Sequence, residues 1–329
     1  MAVIGCGRMG RLHARVYSQM PTVRLAGVYD ANPDAAAAAA ADYGGRPFAS
    51  LDDLLNEARA VTIASPTGTH ADLAEQCLSR GVSCLVEKPL AKDVPDARRI
   101  VDAARDCGCV VQVGHIERFN PAVRAMDRLG IRPRFIEVVR VSPMTFRSID
   151  VGVVLDMMIH DIDIVLQLAG SPLARVEAVG VSAIGTYEDV CNARLTFENG
   201  CVANITASRL ALKTERRLRV FSPDGYVSID YQKKYGIVAR KGENLRAIRD
   251  AAGRIKAGQV KDLSELNYAE LVQVEELAID DIEPLRAELD AFVSAVTDGT
   301  APAVTVEEGL AAVETAQRIV EAIPPQVLE

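Results

Sequence analysis

Gly5-Cys6-Gly7-Arg8-Met9-Gly10 is the first stretch of this chain whose spacing could do chemistry. It follows the apolar run Ala2–Ile4 and opens a helical pattern, Arg8–Met20. In that setting the first glycine permits a tight turn and the second lets backbone approach a pyrophosphate. The third lets helix pack on strand. The N–H groups at the helix start, around Arg8 and Met9, then face the anion. Asp30 strengthens a pattern that is weak alone. It lies 20 residues beyond Gly10, at the end of a second apolar run, Val23–Tyr29. A carboxylate there can accept from a ribose 2′-hydroxyl and repels a 2′-phosphate. The pair predicts a bound dinucleotide, NAD rather than NADP. A turn-forming glycine cluster with a solvated aspartate is the plainer alternative.

Three further polar clusters each follow an apolar run. Ser65-Pro66-Thr67 follows Val61–Ala64, Glu87-Lys88-Pro89 follows Val82–Val86, and Gly114-His115 follows Val110–Val113. Each falls at the carboxyl end of an expected strand, where open α/β sheets bind ligands. Ser65, Pro66, Thr67, His70, Glu87 and Lys88 therefore join Gly5, Gly7, Arg8, Met9, Gly10 and Asp30 as candidates for cofactor contact. A plain turn, with Thr67 or Thr69 capping the next helix, is compatible with that role. Lys88, held between a buried strand and a proline, is a restricted cation able to stabilise an alkoxide forming on a substrate.

Gly152, Asp156 and His160 are spaced i, i+4, i+8 and share one face of an expected helix, with Asp163 nearby. Val153, Val154, Leu155, Met157, Met158, Ile159, Ile162 and Ile164 make that helix apolar almost all round. Unpartnered polar groups are costly inside such a helix. Either Asp156 and His160 satisfy each other in the core, or they face a site. The chain has only four histidines. His70, His115 and His160 fall in or beside candidate site segments, which favours the site. His13, on the first helix, reads as structural.

The elements that must position these residues alternate over the first ~118 residues as strand and helix, the signature of a doubly wound parallel sheet. Further expected helices are Ala71–Arg80 and Ala97–Arg105, with Asn32-Pro33 and Ser50–Asp53 as helix starts. After Phe119-Asn120-Pro121 the grammar changes. Phe135–Val141 and Val176–Ala183 read as strands around a long helix, Val151–Ala169. Val190–Phe197 and Val202–Ala207 flank the hairpin signal Asn199-Gly200. Arg217–Ser222 and Val227–Tyr231 flank the turn Pro223-Asp224-Gly225. The charged stretch Glu243–Glu276, with weak helical periodicity, reads as an excursion or lid. The expected fold is α/β: a Rossmann domain over 1–118, then an α+β domain over 119–329 with a mostly antiparallel open sheet. Its closing helices, Leu285–Val296 and Val306–Ile323, are able to pack back on the first domain.

Bulk composition bounds the function. With 329 residues, 49% hydrophobic, two domains are the natural expectation. A formal net charge of −8 argues against nucleic-acid binding, which needs a basic face. No apolar run reaches membrane-spanning length and no charged-then-apolar leader opens the chain, so the expectation is a soluble cytoplasmic protein without membrane contact. The seven cysteines lack a paired CxxC framework, which predicts reduced thiols and no metal site. A first strand as short as Ala2–Ile4 suggests a start truncated by a few residues.

Taken together, Gly5-x-Gly7-x-x-Gly10, Glu87-Lys88-Pro89 and Gly152-x-x-x-Asp156-x-x-x-His160 resemble the Gfo/Idh/MocA family, the glucose–fructose oxidoreductase and inositol dehydrogenase group. The likeness runs over nearly the whole chain. It implies that Lys88 and His160 flank the reacting hydroxyl, with either acting as base, and that Asp156 orients substrate or His160. It also implies a cis Lys88–Pro89 peptide. Gly114-His115-Ile116-Glu117-Arg118-Phe119-Asn120-Pro121 and Leu155–Asp163 resemble a bacterial branch that oxidises the 3-hydroxyl of UDP-N-acetylglucosamine. So does the stretch from Glu283-Pro284-Leu285 to Gly309-Leu310. In that branch the ketone passes to an aminotransferase for diamino-sugar lipid A. On this resemblance His115, Arg118, Asn120 and Asp163 are expected on the substrate side, and Arg209 and Lys213 near a nucleotide diphosphate. The open sheet of the second domain needs a cover, and family members pack such sheets between subunits, so a homodimer or homotetramer is expected.

Two rivals remain at this level. A dehydrogenase of a free inositol or sugar would carry the same motifs, which recognise cofactor and hydroxyl only. A non-catalytic NAD-binding regulator would need the phosphate cradle but not the Lys88, Asp156 and His160 constellation.

Overall fold

The computed structural model describes residues 1–145, 151–223, 225–241 and 272–325. Six short runs, buried where they are apolar, form parallel strands β1 (Ala2–Ile4), β2 (Gly27–Tyr29), β3 (Arg46–Pro47), β4 (Ala60–Ile63), β5 (Ser83–Glu87) and β6 (Val111–Gly114). Their order is β3-β2-β1-β4-β5-β6, so the sheet reverses direction of winding between β1 and β4. That crevice is where such sheets take ligands. Helices α1 (Arg8–Ser18), α2 (Pro33–Tyr43), α3 (Leu51–Glu57), α4 (His70–Leu78) and α5 (Val94–Cys107) make the crossovers.

Local chemistry sets their ends. The Asn32 side chain accepts from Asp34 N–H at the start of α2, and Ser50 accepts from Asp53 N–H at the start of α3. Asp93 does the same for α5 through Asp96 N–H, so α5 begins at Val94 rather than Ala97, with Pro95 in its first turn. Strand β2 is shorter than Val23–Tyr29, because only Gly27–Tyr29 pairs with β1. The two-residue β3 was not anticipated: Arg46-Pro47 is exposed and carries no apolar signal.

The second sheet has eight strands: β7 (Phe135–Val141), β8 (Leu173–Val181), β9 (Val190–Phe197), β10 (Val202–Ser208), β11 (Glu215–Phe221), β12 (Gly225–Asp230), β13 (Tyr235–Lys241) and β14 (Val272–Glu276). They run in the order β14-β13-β12-β11-β7-β10-β9-β8. All neighbours are antiparallel except β7 and β10, which are parallel. One face packs on α7 (Ile159–Ala169), with Ile136, Val138, Leu195, Ala203 and Ile205 meeting Ile159, Ile162 and Val165 in one core. Val272–Glu276 corrects an expectation, being an edge strand rather than part of a charged excursion. Its alternation of valine with polar residues is the period-2 signal of a half-covered strand. The rest of the charged stretch, 242–271, and Asp224 of the second turn lie outside the described residues.

The chain then returns to the first sheet. Helix α8 (Pro284–Asp298) packs Leu285, Leu289 and Phe292 with Val3, Tyr17 and Val28. Helix α9 (Val306–Glu321) is started by a capping box between Thr305 and Glu308. It sets Val306 and Val313 against Leu90 and Val113, while Ala312, Ala316 and Ile319 enter the core of the second unit. One helix thus touches both cores. Among the described residues no helix is long and apolar enough to cross a membrane.

Candidate active site

The glycine turn has the shape its spacing predicts. Gly5 has φ +94°, a left-handed conformation that other residues rarely adopt. A Cβ at Gly10 would overlap the Gly5 carbonyl, so the third glycine lets α1 start directly against β1. Around Gly7 there is open space, room for a ligand to meet backbone. Asp30 accepts from Cys6 N–H at 2.6 Å and from Asn32 N–H at 2.8 Å, which fixes its half-buried carboxylate at the rim. A turn with a free backbone face and an oriented carboxylate fits the pyrophosphate and ribose of NAD.

Ser65 and Thr69 bond through their hydroxyls at 2.7 Å, and Thr69 also donates to the Pro66 carbonyl. His70 stands behind this loop, not on its surface. It is buried, with ring nitrogens 3.0 Å from the Ser65 carbonyl and 3.1 Å from the Pro89 carbonyl. Burial lowers its pKa and keeps the ring neutral. A neutral ring donates to only one of those carbonyls, yet its position braces two loops that border the cleft.

At the end of β5 the chain turns Glu87 inward and Lys88 toward the cleft. The Lys88–Pro89 peptide is cis. Lys88 Nζ donates to the Asp156 carbonyl at 2.8 Å and lies 3.6 Å from Asp156 Oδ1. The helix expected over Val151–Ala169 is not regular. Val154–Met158 forms a π-turn in which Ile159 N–H reaches the Val154 carbonyl, and α-helical geometry resumes at Ile159. The simple i, i+4, i+8 face is therefore sheared, but Asp156 and His160 still line one cavity of about 900 Å³ with Lys88. A second cavity, of about 630 Å³, shares Lys88 and Asp156 with Thr67, Gly152 and Glu188. His160 Nδ1 has no hydrogen-bond partner, so the internal Asp–His bond considered from sequence is not what holds the ring.

Gly152 has a cause that its sequence neighbours do not reveal. The Glu188 carbonyl accepts from Val153 N–H at 2.9 Å and its carboxylate from Val154 N–H at 3.1 Å. Glu188 thus caps this helix from another segment, and any Cβ at position 152 would overlap its carboxylate. The charges are arranged to complement one another. Burial, then the cations Lys88 and Arg140, hold His160 well below the usual histidine range. Burial lowers Lys88 as well, opposed by the Asp156 and Glu87 carboxylates. The site thus sets a neutral imidazole beside a lysine, both lowered chiefly by burial.

Of the four residues expected on the substrate side, three are engaged elsewhere and one is buried. Arg118 grips Asp163 through two bonds of 2.6 and 2.8 Å and reaches Glu308 at 3.2 Å, stitching the segment after β6 to α7 and α9. Asn120 caps α6 (Pro121–Asp127) through Ala122 N–H and donates to Glu117. His115 is buried with both ring nitrogens unpartnered, and burial keeps it neutral. None of the four borders the large cavity. Lys213 is exposed and also outside it, whereas Arg209 lines it while bonding Asp189 at 2.7 Å and the Val151 carbonyl at 2.8 Å.

Arginines that sequence reasoning missed also stand on the cavity wall, Arg140 and Arg216 among them. Arg140 is buried, bonded to Asp161 at 2.6 and 2.9 Å and to Glu117 at 2.9 Å, with its guanidinium 5.4 Å from the Tyr231 ring. The signal was present: alternation along β7 puts Arg140 on the same inner face as Ile136 and Val138. Arg216 is the least committed, 46% exposed in its side chain and 3.9 Å from Glu117.

Known proteins match this architecture along the chain. A family model described as "Oxidoreductase family, NAD-binding Rossmann fold" matches residues 1–115, and the GFO/IDH/MocA C-terminal domain matches 140–228. UDP-N-acetylglucosamine 3-dehydrogenase from Acidithiobacillus ferrooxidans is 42% identical over 230 residues, 70% of this chain and 73% of that one. A solved structure of that enzyme superposes with a TM-score of 0.87 at 33% identity, covering 98% of this chain and 96% of the other. Inositol 2-dehydrogenase from Rhizobium meliloti is 27% identical, over 98% of this chain and 96% of its own. A glycine cradle with an oriented Asp30, a lysine and a histidine in one cleft, and likeness across both sheets agree. The chain belongs to the Gfo/Idh/MocA family and is an NAD-dependent oxidoreductase acting on CH–OH groups.

Proposed function

We propose that the substrate is a nucleotide-linked sugar, and that the enzyme oxidises the 3-hydroxyl of UDP-N-acetylglucosamine to a ketone. One observation carries this reading: Arg216, the wall arginine least engaged by carboxylates, lines the same cavity as Lys88, Asp156 and His160. An arginine fork suits a diphosphate, and an uncharged inositol has no use for it. The likeness to the Acidithiobacillus enzyme supports the same substrate. NAD supplies the hydride acceptor when held on the cradle of Gly5, Gly7 and Gly10 beside Asp30. His160, neutral at working pH, takes the hydroxyl proton. Lys88, positioned by the Asp156 carbonyl and carboxylate, stabilises the charge developing on that oxygen. The 3-keto product suits an aminotransferase in diamino-sugar lipid A synthesis. We assign the enzyme to the cytoplasm as a dimer or tetramer covering the open sheet face, where Val179 and Val181 are exposed; sedimentation as a monomer would overturn the oligomer.

Purified protein mixed with UDP-N-acetylglucosamine, NAD⁺ and hydroxylamine as ketone trap should produce NADH and a trapped UDP-linked 3-keto sugar by mass spectrometry. The trap is needed because alcohol oxidation by NAD⁺ runs uphill. NADH from inositols alone would move the substrate to free polyols. Silence with both, while NAD still binds, would favour a regulator. Arg216→Ala should raise KM for the nucleotide sugar roughly tenfold with kcat little changed, the pattern of a lost ground-state contact. An unchanged KM would remove Arg216 from the ligand wall.

A further inference from the structure

Beneath Lys88 lies a buried group that hydroxyl oxidation does not use. Glu87 Oε1 lies 2.7 Å from His13 Nε2, inside the protein. Glu288, on the inner face of α8, is fully buried, and neither carboxyl oxygen has a hydrogen-bond partner. One nitrogen or oxygen from each of His13, Glu87 and Glu288 lies within 4.8 Å of the other two. Gly114 on β6 makes room for the arrangement, since a Cβ there would come within 3.1 Å of the Glu87 carboxyl carbon. Two carboxyls this close in an apolar interior cannot both be ionised.

We propose that Glu87 and Glu288 carry a single proton between them, and that this acid pair, pinned by His13, is the buried footing that seats Lys88 in the cleft. The functional half rests on the reading of Lys88 given above; the shared proton does not. Glu87 and Lys88 are adjacent at the end of β5, so fixing one side chain fixes the backbone that aims the other. Helices α1 and α8 clamp Glu87 from His13 and Glu288, and both are remote in sequence from β5. The proton resides mainly on Glu288, which burial and the Glu87 charge hold well above the carboxylate range. Carrying one proton, the pair keeps one negative charge beneath Lys88, which favours the lysine cation. The other titratable groups facing the pair are Tyr17, bonded to Thr62 at 2.9 Å, and, farther off, His70 and His115. In this role Glu87, which also borders the cavity, and Glu288 act as positioning residues.

Glu288→Gln supplies the same donor without a proton to lose, and Glu288→Leu supplies none. A carboxyl whose folded pKa is raised loses stability as pH climbs above its unfolded value, because only the unfolded chain then releases the proton. Urea unfolding of full-length protein should therefore show Glu288→Gln gaining on wild type steadily between about pH 5 and about pH 8. A flat difference would mean that Glu288 is ionised and would overturn the shared proton. So would a stoichiometric divalent cation in the purified protein whose chelation lowers stability, since a metal would replace the proton. These measurements need no substrate and read the pair even where the sugar assignment fails. In turnover, Glu288→Gln should keep kcat and its pH profile, whereas Glu288→Leu should lose roughly tenfold in kcat with NAD affinity unchanged. A Glu288→Gln pH profile displaced from wild type, or wild-type kcat in Glu288→Leu, would sink the seating role.

Discussion

Lys88→Met should bind NAD normally and turn over its substrate roughly a hundredfold to a thousandfold more slowly, the range seen when a preorganised donor is removed from a reacting oxygen. The methionine fills the same channel but leaves the developing alkoxide without its cation. It also leaves the Asp156 carbonyl, now accepting from Nζ at 2.8 Å, without its donor. Stopped-flow hydride transfer in the variant separates this from a binding defect, and a loss smaller than tenfold would remove Lys88 from the chemistry. The pH profile gives an independent reading. Since burial and neighbouring cations depress His160, wild-type kcat should hold as pH falls through the ordinary histidine range and drop only below it. On the alkaline side, loss should begin below the usual lysine value, because burial lowers Lys88. His160→Asn should abolish the acid limb together with roughly a hundredfold or more of the rate.

The largest stability effect is expected at Arg140. Arg140→Met leaves Asp161, which is fully buried, and Glu117, 8% exposed, without the guanidinium that now makes three bonds of 2.6 to 2.9 Å to them. An uncompensated buried charge costs about 3–5 kcal/mol, more than the lost packing of the arginine stem. Urea unfolding should show that loss. The double variant Arg140→Met/Asp161→Asn should recover part of it, because the second change removes one of the stranded charges. A single-variant loss under about 1 kcal/mol would mean that water already solvates the network.

What could be read from the sequence was mostly local. The glycine turn, Asp30, the strand-end clusters and the Asn199-Gly200 hairpin each need only a few consecutive residues, and all stand in the fold. The Asn120-Pro121 pair was equally local, a cap followed by the proline of a first turn, yet it was taken for a substrate contact. Arg118 and Asp163 were misplaced for a different reason: each satisfies the other across α7, and nothing in either segment names its partner. Glu188 caps the helix at Val154 from 34 residues away. Glu288 meets Glu87 only because α8 folds back over the first sheet. Long-range pairing of buried charge leaves no periodic trace, whereas Arg140 did leave one, a cation on the inward register of β7.

The widened turn at Val154–Met158 has a bearing on how such a site can arise and be lost. A π-turn holds one residue more than an α-helix of the same path requires. Removing a single residue there would give a more regular helix, with every side chain upstream rotated by about 100° relative to those downstream. Gly152 would no longer face Glu188, and Asp156 would no longer meet Lys88. The regular form is the one that helix energetics alone would choose. This stretch therefore resists the shortening that surface loops tolerate, and length, more than residue type, is what a variant here must preserve.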